Sequence, residues 1–192
     1  MRAWGSWDDA DLWGEAWDSR PDTWEEDLDA AAGRPPRGQS GPGQWVGNLH
    51  GGWNMSAAAR AYQEQITGVS AAYDYRVTRE NRHADFDGYD RRQRVLLEAK
   101  AFGPDSGIVR AYQLSQQGRP IPPELTERLD ALVRQARRQL AVAGDTGIEW
   151  HVASRQAKAA VQQLLRTNNM GNITVRHTAP NRQVAQLMRA RR

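Results

Sequence analysis

The chain contains no cysteine, which rules out a disulfide framework, a thiolate metal site and cysteine-nucleophile chemistry. No run of about 18 apolar residues exists, so no membrane-spanning helix is expected. The first residues are acidic and lack an apolar core, so no cleavable signal peptide is expected either. Glycine-rich phosphate loops, GxSxG and HExxH are all missing, which leaves ATPase, serine hydrolase and zinc protease readings without support. Lysine is nearly absent: of 26 Lys plus Arg, only Lys100 and Lys158 are lysines. Acidic residues stop at Glu149, and eight Arg or Lys follow it.

What is present is unevenly distributed. The net charge of +3 hides ten acids against two arginines in residues 1–30, a stretch that also holds five of the eight tryptophans. A length of 192 residues suits one domain plus an extension. Residues 1–51 read as an acidic, Trp-rich arm followed by a Gly/Pro linker from Gly33 to Gly51. Residues 52–180 read as the main domain, and residues 181–192 as a basic tail or short helix. A basic C-terminal portion fits a polyanionic partner. The arm could dock a carrier or the domain's own basic groove, or simply pack on the domain.

Hydrophobic periodicity places the elements. Met55 to Gln65 reads as a helix capped by Asn54 or Ser56 and ended by Gly68. Ala71 to Thr78 alternates as a strand. Phe102 to Gly118 reads as a loop with a helical turn around Ile108 to Leu114. After Pro122 and Pro123, a long helix carries Leu125, Leu129, Leu132, Val133, Ala136 and Leu140 on one face. Ile148 to Ala153 is a strand, Ser154 caps a helix, and Ile173 to His177 is a last strand. Strand–helix–strand crossovers imply parallel pairing within a mixed sheet, an α/β fold with flanking helices.

The chemistry concentrates between His83 and Lys100. His83 to Asp87 and Arg94 to Lys100 read as two strands joined by a turn from Gly88 to Arg92. The two-residue period of a strand puts Glu98 and Lys100 on one face and Leu97 and Ala99 on the other. If the two strands pair, Asp87 comes within reach of Glu98 and Lys100. Two clustered carboxylates repel unless a cation lies between them. Mg2+ (or Mn2+) held by Asp87 and Glu98, with Lys100 beside it, would make a metal-dependent hydrolytic site. Asp85 shares the Asp87 face and could assist the metal, or be a solvated strand residue. His151 could contact phosphate or be a structural histidine. Glu64, at the end of the first helix, could be a ligand or face solvent.

Four short words, Tyr62-Gln63, Ile66-Thr67-Gly68, Phe86-Asp87-Gly88 and Leu97-Glu98-Ala99-Lys100, resemble the PD-(D/E)xK nuclease superfamily. Within it they are similar to the fifth restriction-endonuclease-fold toxin family of bacterial polymorphic toxins. The usual proline before the first acid is replaced by Phe86. The resemblance implies a restriction-endonuclease-like core in the order α-β-β-β-α-β-α-β, with Asp87, Glu98 and Lys100 catalytic and Gln63 in the polar first-helix position. It further implies a Mg-dependent endonuclease acting on DNA, with RNA open, as an antibacterial effector. Such a protein is secreted, delivered to the target-cell cytoplasm, exported by a secretion carrier and blocked by a cognate immunity protein. The reading from another class is a non-catalytic nucleic-acid-binding module on a degenerate nuclease fold.

Overall fold

The structure is a computed structural model that describes residues 41–48 and 55–190. The expectations for the tryptophan-rich arm, for Asn54 as a cap and for the last two arginines lie outside those residues. Seven strands and five helices are formed among the described residues. They are β1 (Gly43–Gly47), α1 (Ala57–Thr67), β2 (Tyr73–Arg79), β3 (Arg82–Phe86), β4 (Gly88–Asp90) and β5 (Val95–Lys100). The second half holds α2 (Gly107–Gln116), α3 (Pro123–Ala143), β6 (Gly147–Val152), α4 (Arg155–Thr167), β7 (Ile173–His177) and α5 (Arg182–Arg189).

Local chemistry sets several boundaries. The Ser56 hydroxyl accepts from the Ala59 N–H at 3.1 Å and starts α1, which ends at Gly68 with φ 69°. Ser154 does the same for α4 through the Ala157 N–H, also at 3.1 Å. Pro123 opens α3, where a missing N–H has no intrahelical partner to lose. Glu80 and Asn81 both take positive φ, 51° and 61°, which matches the two-residue hairpin turn between β2 and β3.

The strands form two sheets. The first is antiparallel in the order β1-β2-β3. The second runs β4-β5-β6-β7, with β4 antiparallel to β5 and the β5-β6-β7 set parallel. Each parallel step is bridged by helix, α2 and α3 before β6 and α4 before β7. The main core gathers Tyr75, Phe86, Leu96, Ile148 and Trp150 under α2, α3 and α4. A smaller core of Tyr62, Ala153 and Val184 lies on the other side of β5, covered by α1 and α5. This is a mixed α/β architecture with flanking helices, with more elements than the eight expected.

Three sequence expectations are corrected here. Gly43–Gly47, inside the stretch read as linker, is an edge strand paired with β2. The stretch 83–87 does not pair with β5; β3 pairs with β2, Tyr75 opposite Phe86. Gly88 to Asp90, read as part of the turn, is the strand β4 that pairs with β5, Gly88 opposite Leu97. The chain changes sheets at Asp87–Gly88. A Cβ at Gly88 would sit 2.9 Å from the Thr67 methyl of α1, so only glycine lets the bend lie so close to that helix. The reversal itself comes at residues 91–94, where Asp90 accepts from the Arg92 and Gln93 N–H groups and Arg94 takes φ 57°.

Candidate active site

Strand β5 carries the site. Its alternation sends Leu96, Glu98 and Lys100 toward α3, and packs Ala99 on the α1 side. Lys100 Nζ lies 3.0 Å from Glu98 Oε1 and 5.8 Å from the centre of the Trp150 ring. Asp87 reaches the same place from the sheet-switching bend: its Oδ2 accepts from the Ala99 N–H at 2.5 Å. The three side chains that the resemblance singled out therefore meet at the C-terminal end of β5.

Burial sets the electrostatics. The Asp87 carboxyl is enclosed, and this desolvation, then the charge of Glu98, pushes its pKa well above the usual carboxylate range; Lys100 works in the opposite direction. Asp74 on β2 joins this acidic neighbourhood. Its pKa is raised to about 8 by burial and then by the charges of Asp85 and Glu98, against one hydrogen bond from Asn48 Nδ2 at 3.0 Å.

Glu98, only 4% exposed, is surrounded by donors. Gln135 Nε2 donates to Oε1 at 2.9 Å and Gln139 Nε2 to Oε2 at 2.5 Å. Both glutamines lie on α3, one turn apart. Asp74, Gln135 and Gln139 were not anticipated as site residues. The available signal was Gln139: it falls at the Leu132–Ala136 spacing, where the stripe calls for an apolar residue.

Gln63 is 1% exposed, and neither its Oε1 nor its Nε2 has a hydrogen-bond partner. It lies on α1 one turn before Thr67, whose hydroxyl donates to the Gln63 carbonyl and whose methyl lies against Gly88. Residues four apart share a helix face, so Gln63 sits on the side of α1 that meets the Asp87–Gly88 bend.

The other candidates are placed elsewhere. Glu64 is exposed, and its carboxylate accepts from the Ala71 N–H at 3.2 Å, closing the loop after α1. Asp85 is held by Arg76 in a two-point pair at 2.7 and 2.9 Å. His151 stands on the face of β6 opposite Trp150. Its Nδ1 lies 2.8 Å from the Thr178 hydroxyl and its Nε2 3.5 Å from Glu149, a carboxylate already paired with Arg176 at 2.6 Å. Burial lowers the His151 pKa, Glu149 notwithstanding.

Among the described residues no three acidic or imidazole groups converge tightly enough to form a metal cluster by themselves. What converges is two carboxylates and an ammonium, with an unpartnered amide on the neighbouring helix. Hard oxygen donors of that kind suit Mg2+ or Mn2+, so the residues present fit such an ion.

An open mixed sheet with two acids and a lysine at the end of its central strand defines the restriction-endonuclease class of α/β domains. Residues 59–155, about half of the chain, match the family described as restriction endonuclease fold toxin 5, and the chain belongs to that family. The match spans Gln63, Asp87, Glu98, Lys100, Gln135, Gln139 and His151. Among curated proteins, none matches the chain. Family membership makes this a toxin domain of the nuclease class, with nucleic acid as its substrate. No helix among the described residues is long and apolar enough to cross a membrane.

Proposed function

We propose that the domain is a Mg2+- or Mn2+-dependent endonuclease that hydrolyses phosphodiester bonds in DNA. The observation that carries this reading is the meeting of Asp87, Glu98 and Lys100 at one strand end, with Lys100 Nζ 3.0 Å from Glu98. Asp87 and Glu98 would hold the ion, and the Gln63 amide oxygen, buried without a donor, is suited to complete its surroundings. The ion, when bound, supplies neutralising charge and a more acidic water.

The protein's own residues do the rest. Lys100, kept in place by Glu98 and the Trp150 ring, presents a cation to the charge that builds on the phosphate oxygens. Asp87, tied by the Ala99 N–H, keeps one oxygen fixed and leaves the other available. Glu98 and its two glutamines seal the α3 side. In its host context the domain would act as an antibacterial effector, secreted and delivered to the target-cell cytoplasm, with a cognate immunity protein protecting the producer. The Trp-rich arm would then serve the secretion carrier.

The test is degradation of plasmid DNA and of RNA by wild type and Glu98→Ala, each with Mg2+ and with chelator. Cleavage of DNA by wild type alone, abolished by chelator, is the expected result. Equal cleavage by Glu98→Ala removes the reading. One observation favours the competing module reading: both Glu98 oxygens already carry donors. DNA affinity with neither cleavage nor Mn2+ uptake would decide for that module.

A further inference from the structure

The hydrogen bonds behind Glu98 form a chain with one permitted direction. An indole N–H donates and cannot accept. Trp150 Nε1 donates to Gln139 Oε1 at 2.8 Å, so the Gln139 amide must turn its NH2 group the other way. That group donates to Glu98 Oε2 at 2.5 Å and also lies 3.4 Å from the Asp85 carbonyl oxygen. Trp150 and Gln139 are both fully buried, so no solvent competes for either bond. The neighbours of Gln139 on α3, among them Leu132, Val133, Ala136 and Val142, are core residues. A leucine at position 139 would pack as they do, and would leave an indole N–H and a carboxylate oxygen unmatched.

The register explains why the chain begins at Trp150. In the parallel pair β5–β6, Trp150 lies beside Glu98, so both side chains rise toward α3 from adjacent strands. Gln139 spans the gap between them from above. Its second amide atom has a use only because these two neighbours differ, one a pure donor and the other a pure acceptor.

We infer that Gln139, with its amide direction set by Trp150, is a positioning residue that holds the Glu98 carboxylate in the orientation from which it receives a divalent cation. The inference rests on the nuclease reading above. Residues that hydrogen-bond a metal ligand typically change metal affinity by about 10–100-fold when removed. A group that only filled space would change the melting temperature and leave affinity alone.

The experiment is Mn2+ calorimetry on the full chain as wild type, Gln139→Met, Trp150→Phe and the double variant, with melting temperatures in chelator and titrations run well below the lowest of them. Gln139→Met should weaken Mn2+ binding about tenfold or more. Its plasmid cleavage should recover when Mn2+ is raised by the same factor, which a misfolded protein would not do. Trp150→Phe should weaken binding in the wild-type background and have no further effect on top of Gln139→Met, because the chain is already cut. If Trp150→Phe does not fold, Gln139→Leu takes its place: it packs as its core neighbours do, loses the donor and must also weaken binding about tenfold. Gln139→Met or Gln139→Leu binding Mn2+ within about twofold of wild type, below the range expected, overturns the inference, as does a Trp150→Phe loss that simply adds to that of Gln139→Met. Wild type that takes up no Mn2+ removes the nuclease reading and this inference together; wild type that binds while Gln139→Met binds equally removes only the inference.

Discussion

The two sides of strand β5 treat buried polar groups in opposite ways. Toward α3, Glu98 has donors on both oxygens, and Gln139 uses both ends of its amide. Toward α1, Gln63 is equally buried and neither of its amide atoms has a partner. A buried polar group left unmatched costs about 1–3 kcal/mol. One side of the strand therefore spends nothing on unmatched polar atoms, and the other carries that cost at Gln63. The α3 side holds Glu98 and Lys100 in a fixed geometry, and the α1 side presents an amide that still has both ends to offer.

The largest effect should come from the charges at the junction of the two sides. Lys100→Ala and Asp87→Ala should each lower plasmid cleavage by about 10²–10³-fold or more, the scale of removing one preorganised charge-stabilising group. Both variants should keep their far-UV circular dichroism, since neither residue belongs to either hydrophobic core. Wild-type rates in either variant would take the chemistry away from this strand end.

Stability sharpens the contrast because the two glutamines should move it in opposite directions. Gln139→Met strands the Trp150 N–H and a Glu98 oxygen, so it should destabilise by about 1–3 kcal/mol. Gln63→Met removes an unmatched amide and keeps its volume, so it should stabilise by about 1–2 kcal/mol while lowering cleavage. For a chain of this size each kcal/mol moves the melting temperature by about 2–4 °C. Paired thermal scans in chelator read both signs, and a Gln63→Met that melts below wild type would show that its amide is satisfied after all.

How far the sequence foretold this arrangement depends on the distance over which each signal acts. Ser56, Gly68 and Ser154 were readable as caps because a cap involves only its own first or last turn. Ile173–His177 was readable because alternation is local. Glu98 and Lys100 follow from the same alternation. The exchange of sheets at Asp87–Gly88 was not readable: it depends on how close Thr67 of α1 comes, a contact across about twenty residues of chain. The edge strand β1, Gly-Gln-Trp-Val-Gly, follows Gly41-Pro42 in a stretch with the composition of a linker, and is a strand only because β2 offers it an edge. Asp74 looked like any polar strand position, and nothing local says that Asp85 and Glu98 stand near it.

Asp74 gives the next test, because its proton balance differs from that of the acids around it. Its pKa in the folded chain is pushed up to about 8, whereas the unfolded chain ionises near the usual carboxylate value of about 3.9. The folded state therefore binds the extra proton between those two values. Its contribution to stability is complete below about pH 4 and is lost as pH rises through about 8. Asp74→Asn, which keeps an oxygen for Asn48, should melt like wild type at acidic pH and above it at alkaline pH. Identical pH profiles for the two proteins would show that Asp74 is ionised without penalty, and that the acidic neighbourhood does not reach β2.

The smallest effect belongs to the ion pair outside the junction. Arg76 and Asp85 meet at 2.7 Å but are about a third open to solvent, and such pairs contribute about 1 kcal/mol or less. Asp85→Ala should thus lower the melting temperature by only a few degrees and leave plasmid cleavage within about twofold of wild type, since Arg76 rather than the strand end occupies both carboxylate oxygens. This separates Asp85 from Asp87, two residues away in a sequence that gives both the same strand face. A loss of cleavage in Asp85→Ala on the scale of Asp87→Ala would mean that Arg76 releases its partner when substrate is bound, and the comparison of the two sides of β5 would have to be widened to include the first sheet.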